Sequence, residues 1–362
     1  MKIGLYIGTE ADTTNQYSER LLLGWGKCLS DHQVDAFGAS DLPASATDYY
    51  NRVETKARGY RTPFTKIITT YRGAHEYASV HDPDVLVQFR SFSTHATGIA
   101  LAGRDLEIPV ITRFPSDAFQ EYRMASGIRK GGLFLLHNVF GRLPLALSEA
   151  TIVLGPYGQS EVEKRGVSSD DVVIIPPPKD VTGRFRPADE VGSLRDELGL
   201  PQDRRIALFV GKMTELKGME FARSVIQSTS ERSDIYFVFI GPGPYRQRLR
   251  SEFSSDTVEL PGHIPYSEIH DYYRAADVYI HPSPHEGIPL SVLEALDCGT
   301  PVVARRAGDI AYVTPNVVDT PEEMVDCLIA GNKDATWLHE AEFTMAVQQE
   351  KLNSLLERIK ER

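Results

Sequence analysis

Short apolar runs alternate with longer amphipathic stretches along most of the chain. Apolar runs of about four to eight residues are typical of buried strands, whereas a period of about 3.6 residues is typical of helices. Where the two alternate, parallel sheets covered by helices are expected. We therefore predict an α/β fold, with strands at residues 3–7, 34–37, 85–88, 110–112, 151–154, 172–175, 206–210, 236–240, 258–260, 278–280 and 302–304.

A run of prolines separates the predicted strands into two sets. Residues 176–180 read Pro-Pro-Pro-Lys-Asp, and prolines restrict the backbone to an extended conformation. A chain of 362 residues is long enough for two domains with full cores. The extended proline run is the best candidate for the linker between them. A strongly helical segment over about 337–360 ends the chain.

The most informative local pattern lies between the last two predicted strands. Pro289 suits the first turn of a helix, and Gly299 suits the residue beyond its end. We therefore predict a helix over about 289–298, with Glu286 in the loop ahead of it and Glu294 one to two turns inside. The free N–H groups and positive dipole end of such a helix suit a phosphate-bearing ligand.

The motifs in this half of the chain resemble a known family. Glu286-Gly287 through Glu294 is followed by Gly-Thr-Pro-Val-Val at 299–303, and Gly-Lys-Met-Thr-Glu-Leu-Lys-Gly stands upstream at 211–218. Together they resemble the retaining glycosyltransferases of the GT-B fold, family 4 (glycosyl transferases group 1). The resemblance is strong over about 206–313, whereas the N-terminal half departs from the family at several positions.

The resemblance implies two Rossmann-like domains that face each other across a cleft, the first for the acceptor and the second for the donor. Because the final helices of the family cross back, we expect domains at 1–177, completed by about 337–362, and at 178–336. The implied activity is transfer of a sugar, with retention, from a UDP- or GDP-type nucleotide sugar to a glycan, a lipid-linked or a small-molecule acceptor. No cofactor and no metal are expected.

Lys212 and Lys217 are the candidate catalytic cations. They follow the strand predicted at 206–210, and ligands of open α/β sheets bind beyond the carboxyl ends of strands. Cations at this place lower the barrier because negative charge builds on the departing diphosphate. The family usually has arginine where this chain has Lys212. A solvated pair that caps a helix is the alternative interpretation of Lys217-Gly218.

By resemblance, Glu286 contacts the transferred sugar and completes the catalytic set, and Glu294 accepts hydrogen bonds from the ribose hydroxyls. Two carboxylate oxygens suit the two hydroxyls of a cis-diol. An exposed helix residue and a partner of the helix dipole are the alternative interpretations of Glu294 and Glu286. His285 is a further candidate for contact with the sugar. The other expected donor-binding residues are Gly211, Gly287, Ile288, Pro289 and Leu290.

The positions at which this chain differs from the family pattern lie in its first half. Many family members have a Gly-Gly pair in the first loop, where this chain reads Asn-Gln-Tyr-Ser-Glu-Arg at 15–20. A histidine often follows the strand at 110–112, where this chain has Arg113 and Asp117. A lone histidine is more often structural than catalytic. The acceptor-side candidates are Arg90, His95, Arg113 and Asp117.

The amino-acid composition bears on the partners and the cellular location of the protein. A net charge of −11 argues against a nucleic-acid partner, which requires a basic face. Three cysteines without metal-ligand spacing favour a reducing cytoplasm. The N-terminus lacks the features of a signal peptide, and no apolar stretch approaches the ~18 residues of a membrane span. A cytoplasmic protein, in solution or peripheral on the cytoplasmic membrane face, is therefore expected.

Two basic stretches leave the acceptor open. One contains Arg52, Lys56, Arg58, Arg61, Lys66 and Arg72, and the other places Arg123, Arg129 and Lys130 ahead of an apolar run at 133–136. Such stretches suit an anionic lipid surface or a lipid-diphosphate acceptor, but a solvated face beside a core helix is the favoured interpretation. Two other functions also stay open. One is a non-catalytic GT-B relative that binds a nucleotide sugar or acts as a scaffold, and the other is a hydrolase using Glu286 and Glu294 directly.

Overall fold

The chain divides into two α/β units. The computed structural model describes residues 1–8, 16–55, 62–89, 91–115, 117–232, 234–331 and 335–362. Unit one comprises Met1–Val181 and Ala341–Arg362, and unit two comprises Thr182–Glu340. These are called the first and second domains below.

The first domain is built on a parallel sheet of seven strands in the order β3-β2-β1-β4-β5-β6-β7. The strands are β1 (Lys2–Gly8), β2 (Gln33–Gly38), β3 (Asn51–Glu54), β4 (Val85–Gln88), β5 (Val110–Phe114), β6 (Ala150–Val153) and β7 (Val172–Ile174). The α-helices are α1 (Gln16–Cys28), α2 (Pro63–His81), α3 (Thr94–Leu106), α4 (Gly127–Phe134), α5 (Arg142–Leu147) and α6 (Pro156–Glu163), with a π-helix at Leu135–Phe140 between α4 and α5. Short 3-10 helices lie at Ala44–Tyr49, Ala118–Met124 and Ser169–Asp171.

The second domain is built on a parallel sheet of six strands in the order β10-β9-β8-β11-β12-β13. The strands are β8 (Arg205–Val210), β9 (Ile235–Ile240), β10 (Val258–Gly262), β11 (Val278–His281), β12 (Val302–Arg305) and β13 (Val317–Val318). The α-helices are α7 (Val191–Leu198), α8 (Met219–Thr229), α9 (Tyr245–Glu252), α10 (Ile269–Ala275), α11 (Leu290–Asp297) and α12 (Pro321–Ala330). Short 3-10 helices lie at Glu215–Lys217 and Ile310–Tyr312. A last α-helix, α13 (Met345–Glu361), follows a 3-10 helix at Glu340–Phe343 and belongs to the first domain.

Both faces of the first sheet are covered by helices. Ile3, Leu5 and Ile7 of β1 pack with side chains of α1 and α13, whereas Tyr6 packs on the opposite face with α2 and α3. Successive side chains of a strand point to opposite faces, so a strand covered on both faces needs apolar residues at every position. This is why β1 reads as a continuous apolar run.

The strand order of the second sheet places the candidate site. From β8 the chain continues to β9 and β10 on one side, while β11, β12 and β13 lie on the other. The carboxyl ends of β8 and β11 are therefore neighbours at the point where the strand order reverses. In open α/β sheets this point is the usual place for a ligand.

Several predicted boundaries differ from those in the structure. Two edge strands, β3 and β13, escape the hydrophobic pattern because β3 reads Asn-Arg-Val-Glu and β13 has two residues. The C-terminal helix begins at Met345 rather than near 337. Strand β5 continues to Phe114, beyond the predicted end at 112, because it pairs with β6 as far as Val153.

The proline run stays with the first domain, so the boundary follows Val181 rather than residue 177. Pro176 O accepts a hydrogen bond from Gln348 Nε2 at 3.0 Å, and Pro178 O accepts one from Arg20 Nε at 3.0 Å. The Lys179 amide donates to Phe343 O at 2.8 Å. These bonds to α1 and to the C-terminal segment fix the run against the first domain.

Candidate functional site

The loop after β8 is fixed against the loop after β11 by a glycine. Gly218 has φ +74°, and a Cβ on this residue would lie 2.0 Å from Pro282 O. A residue with a side chain therefore fails here twice, because the left-handed backbone is strained and the neighbouring backbone is too close. Close approach of the two backbones brings the 3-10 helix that ends at Lys217 next to residues 282–286.

Lys217 and Glu286 form the central ion pair of this site. Lys217 Nζ donates to Glu286 Oε1 at 2.5 Å, and His281 Nε2 lies 3.6 Å from the same oxygen. The Glu286 side chain is 14% exposed and that of Lys217 is 39% exposed. Burial raises the pKa of Glu286, but His281 and Lys217 together outweigh it and lower that pKa to about 2. Glu286 is therefore an ionised carboxylate at neutral pH.

The backbone of Glu286 is held as firmly as its side chain. A Cβ on Gly308, which has φ +46°, would lie 1.9 Å from Glu286 O. The Asp309 amide donates to Gly287 O at 3.3 Å. The buried Ser283 hydroxyl lies 3.2 Å from His285 O and 3.3 Å from Leu216 O, within reach of both loops. These contacts position the segment that leads into α11.

Helix α11 begins where the sequence predicts. Pro289 is its N-cap residue with extended backbone (φ −74°, ψ 136°), and Gly299 beyond its end has φ +74°. The first N–H groups of a helix have no partner within the helix, and they carry its positive dipole end. This helix start directly follows Glu286-Gly287-Ile288, so it adds anion-binding groups to the ion pair.

Glu294 lies inside α11 and is buried, with 5% of its surface exposed. Tyr266 Oη donates to its Oε1 at 2.8 Å, and Tyr273 Oη donates to its Oε2 at 3.0 Å. Burial, followed by the charge of Glu294, raises the pKa of Tyr273 well above its usual range, so this phenol stays a donor. Each carboxylate oxygen thus holds one phenol and keeps a lone pair for a second donor. The alternative of an exposed helix residue is wrong for Glu294.

The two tyrosines were not predicted as site residues. Tyr266 precedes α10 and Tyr273 lies within it, and the Tyr273 carbonyl accepts a hydrogen bond from Thr300 Oγ1 at 2.7 Å. Phe185 packs against both rings, with centroid distances of 5.5 and 5.9 Å. Their relation to Glu294 depends on how α10 packs against α11. The spacing of seven residues between Tyr266 and Tyr273 is the one local feature of the sequence that could have indicated their role beside Glu294.

The remaining donor-side candidates lie in the loops after β8 and β11 and at the start of α11. The Gly211 amide donates to Ile240 O at 2.9 Å, at the end of β8. Lys212 is exposed, and the structure gives its ammonium no partner among the residues described. His285 is half-buried, while Gly287, Ile288, Pro289 and Leu290 are buried. His285 and the segment from Gly287 to Leu290 flank Glu286 in sequence and lead into α11.

The acceptor-side candidates of the first domain lie in different surroundings. His95 is fully buried on α3, 5.1 Å from the Tyr6 ring. Arg113 is 2% exposed because β5 includes it, and its amide donates to Gln88 Oε1 at 2.8 Å. Asp117 Oδ1 accepts a hydrogen bond from Tyr157 Oη at 2.7 Å. Arg90 lies outside the described residues. Burial of His95 and Arg113 is typical of structural residues, and the acceptor roles stay predictions.

The first basic stretch is only partly a solvated face. Arg52 is half-buried and donates to Val53 O, Ser40 O and Ala36 O, and Lys66 is 8% exposed. Arg72 is exposed. Lys56, Arg58 and Arg61 lie outside the described residues.

The described residues contain neither a candidate membrane span nor a candidate metal site. None of the helices there is long and apolar enough to cross a membrane. Within the same ranges, no group of three or more His, Cys, Asp or Glu side chains is arranged to hold a metal ion.

Comparison with known proteins matches the segment that contains this site. Residues 204–347 match the profile of the glycosyl transferases group 1. The chain is similar to this profile from β8 to the start of α13. It is 38% identical over 141 residues to a D-inositol 3-phosphate glycosyltransferase of Streptosporangium roseum, which is 35% of this chain and 32% of that protein. The chain spans less than half the length of the curated relatives that it matches first.

Solved structures extend the likeness to the whole fold. A sucrose-phosphate synthase from Thermosynechococcus elongatus matches with a TM-score of 0.71 and 19% identity, over 99% of this chain and 97% of that one. Anabaena HepE in complex with UDP-glucose matches with a TM-score of 0.65 and 16% identity, over 100% of this chain and 98% of that one. The chain therefore has the GT-B fold, with two Rossmann-like domains.

Proposed function

We propose that this protein is a glycosyltransferase that moves a sugar from a nucleotide-sugar donor to an acceptor. The observation that carries the proposal is the Lys217–Glu286 pair, set at the carboxyl ends of β8 and β11 and followed by the start of α11. A cation and a helix N-terminus suit the diphosphate of such a donor, and a carboxylate suits the hydroxyls of its sugar. The match of residues 204–347 to the glycosyl transferases group 1 profile and the UDP-glucose bound by Anabaena HepE support a nucleotide sugar as the donor.

Each group has a role in this proposal. Lys217, Lys212 and the N-terminus of α11 bind the diphosphate and stabilise the charge that develops on it. Glu286 orients the sugar through its hydroxyls. The Glu294 carboxylate, oriented by two phenols, accepts the ribose hydroxyls. Gly211 and the segment from Gly287 to Leu290 supply backbone contacts to the donor.

The proposed reaction retains the configuration of the sugar. The bond from the anomeric carbon to the phosphate oxygen breaks, and the bond to the acceptor oxygen forms on the same face. The acceptor proton passes to the departing phosphate oxygen, so no side-chain nucleophile is needed. Lys217 and Lys212 supply the positive charge at the leaving group, and we propose that the reaction requires no metal and no cofactor.

The low pKa of Glu286 argues against the hydrolase alternative. A glycosidase needs one carboxyl group that stays protonated to act as general acid. Glu286 is ionised, with a pKa of about 2, and both oxygens of Glu294 already accept phenol hydrogen bonds. No observation favours the alternative of a non-catalytic relative.

A peripheral membrane contact on the cytoplasmic face is part of the proposal. Large apolar side chains are exposed along α4 and the π-helix: Ile128 (97%), Phe134 (43%), Leu135 (52%), Val139 (51%) and Phe140 (56%). Residues 122–143 contain Arg123, Arg129, Lys130 and Arg142 and no acidic residue, although the chain carries a net charge of −11. Apolar and cationic side chains on one segment suit an anionic lipid surface.

The test of transfer is a product assay. Purified protein is incubated with UDP- and GDP-sugars and a panel of acceptors, and released nucleotide and glycosylated product are measured by mass spectrometry. We expect product from one nucleotide class, with the anomeric configuration of the donor and undiminished yield in EDTA. Sugar release from a glycoside without nucleotide would favour the hydrolase. Donor binding without transfer to any acceptor would favour the non-catalytic relative.

A further inference from the structure

The first domain contains an open cavity of about 450 Å³ that the donor site does not use. It lies where α2 and α3 begin and where the 3-10 helix at Ala118–Met124 faces the π-helix. Three residues that carry hydroxyl groups, Thr62, Ser91 and Thr94, line it together with Lys66 and His137. Its other walls are mostly apolar.

Two helix N-termini meet at this cavity. Thr62 caps α2, with its amide donating to Thr65 Oγ1 at 2.9 Å, and Thr94 is the first residue of α3. A Cβ on Gly98 of α3 would lie 2.7 Å from Ile67 O of α2, so the helices pack backbone to backbone. Their positive dipole ends therefore lie side by side at the cavity.

A lysine is built into the wall between them. Lys66 lies on the first turn of α2 and is 8% exposed, with its Nζ 3.5 Å from Ser91 Oγ. Ser91 Oγ is thus one polar group within reach of the Lys66 ammonium. A lysine at paired helix N-termini suits a phosphate, which it binds as a point charge.

His137, another residue that lines the cavity, has a polar neighbour at each ring nitrogen. Its Nδ1 lies 2.9 Å from Ser93 Oγ, and its Nε2 lies 3.3 Å from Glu121 Oε2. Ser93 has φ +65° and ψ −51° at the centre of a γ-turn, in which the Thr94 amide donates to Phe92 O at 2.8 Å. This backbone is strained for a residue other than glycine, and such strain tends to occur at functional sites.

The charge of the lining favours an anion. Glu121 is the one acidic residue among the described lining residues, and its carboxylate faces His137 with 56% of the side chain exposed. The Lys66 ammonium and the two helix N-termini contribute positive charge to the same cavity. A neutral sugar hydroxyl would not need such a set of groups.

We propose that this cavity binds a phosphate ester carried by the acceptor, with Lys66 as its principal cation and His137 as a further hydrogen-bonding group. The inference rests on the proposed function, in which the first domain takes the acceptor. Leu133 and Leu136 line the cavity, and the same segment exposes Phe134 and Leu135. The phosphate therefore belongs either to a soluble sugar phosphate or to a lipid headgroup at the membrane surface.

The test compares two charge-removing substitutions on α2. Lys66→Met removes the cavity cation, and Arg72→Met removes an exposed cation from the same helix outside the cavity lining. Binding of glycerol 3-phosphate is measured by calorimetry. Binding to vesicles of phosphatidylcholine with phosphatidic acid is measured by cosedimentation, against phosphatidylcholine alone. We expect Lys66→Met to weaken binding about tenfold or more, as for loss of a charged hydrogen bond, and Arg72→Met to change it less than about twofold.

The two probes identify the source of the phosphate. Lys66-dependent binding of glycerol 3-phosphate indicates a soluble phosphate ester, whereas Lys66-dependent binding of the vesicles alone indicates a lipid headgroup. Either result supports the cavity. Failure of both probes to bind, or equal losses in Lys66→Met and Arg72→Met, would overturn it.

Two further variants separate this inference from the donor site and from misfolding. Lys217→Ala should abolish stabilisation by UDP or GDP and leave phosphate-ester binding intact, so failure of the donor proposal shows in a different measurement. Glu121→Gln removes the single lining carboxylate and should tighten phosphate-ester binding about two- to threefold, the scale of an exposed charge pair. If Lys66→Met does not fold, unchanged affinity in Glu121→Gln would count against the cavity.

Discussion

The two domains build their candidate sites in different ways. In the second domain, the loops after β8 and β11 are held by backbone contacts, with Gly218 against Pro282 and Gly308 against Glu286. In the first domain, the cavity is formed by side chains from helix ends, with Lys66, Ser93 and His137 on separate elements. A site that depends on backbone geometry requires glycines and prolines at fixed spacing, so it can be predicted from a sequence motif. A site formed by side chains from separate elements has no such motif.

The ligands proposed for the two sites also differ in how much they vary. A diphosphate and a ribose are common to many nucleotide-sugar donors, so one backbone arrangement serves them. The acceptor differs among transferases, and side chains on helix ends change without disturbing a sheet. This fits a match to the glycosyl transferases group 1 profile that covers residues 204–347 of the second domain and the C-terminal segment.

The largest expected effect comes from breaking the backbone contact of the donor site. Gly218→Ala places a Cβ 2.0 Å from Pro282 O at φ +74°, whereas a Cβ on Gly199, at φ +69°, meets nothing within 4 Å. Both substitutions strain a left-handed residue by about 1–2 kcal/mol. Gly218→Ala adds an overpacking cost of about 1–3 kcal/mol and should abolish transfer.

Urea unfolding and the transfer assay measure this difference. Gly199→Ala is the matched control and should keep activity per folded molecule. Equal activity in the two variants would show that contact between the two loops does not organise the donor site.

A smaller effect is expected from the tyrosines that hold Glu294. Tyr273→Phe removes a buried phenol hydrogen bond to Oε2, which should cost about 1–2 kcal/mol of stability and weaken nucleotide binding. Tyr266→Phe removes the bond to Oε1 from a less buried ring, so its effect on stability should be smaller. Denaturant unfolding and nucleotide titration of both variants check the order. Unchanged nucleotide affinity in the double variant would remove Glu294 from the ribose site.

The smallest effect is a change in acid sensitivity. The pKa of Glu286 is lowered from 4.5 to about 2 in the folded state, so its contribution to stability is present above about pH 4.5. That contribution is lost as the pH falls toward 2. Glu286→Gln should therefore make the decline in melting temperature between these pH values shallower. An unchanged slope would mean that His281 and Lys217 do not stabilise this carboxylate.

Sequence patterns predict the donor loop because its determinants are local. Glu286, Pro289, Glu294 and Gly299 lie within one loop and one helix, and their spacing already defines that helix. Contacts between distant segments could not be predicted. Tyr266 and Tyr273 reach Glu294 only through the packing of α10 on α11.

In the first domain, Ser93, Glu121 and His137 are separated by up to 44 residues. Local patterns also fail where pairing decides the structure. Strand β5 extends through Arg113 because β6 continues beside it, and that buries a side chain expected in a loop.

The central claim is that the Lys217–Glu286 site with Glu294 binds a nucleotide sugar. Its most direct test is thermal stabilisation by UDP, GDP and their sugar conjugates, measured for the wild type, Lys217→Ala and Glu294→Ala. Lys164→Ala, which removes a 63% exposed lysine of the first domain, is the control. A ligand that binds only the folded state raises the melting temperature with its occupancy. We predict a clear rise with one nucleotide class in the wild type and Lys164→Ala, and none in the two site variants. No rise with any nucleotide, or an equal rise in all four proteins, would contradict the account.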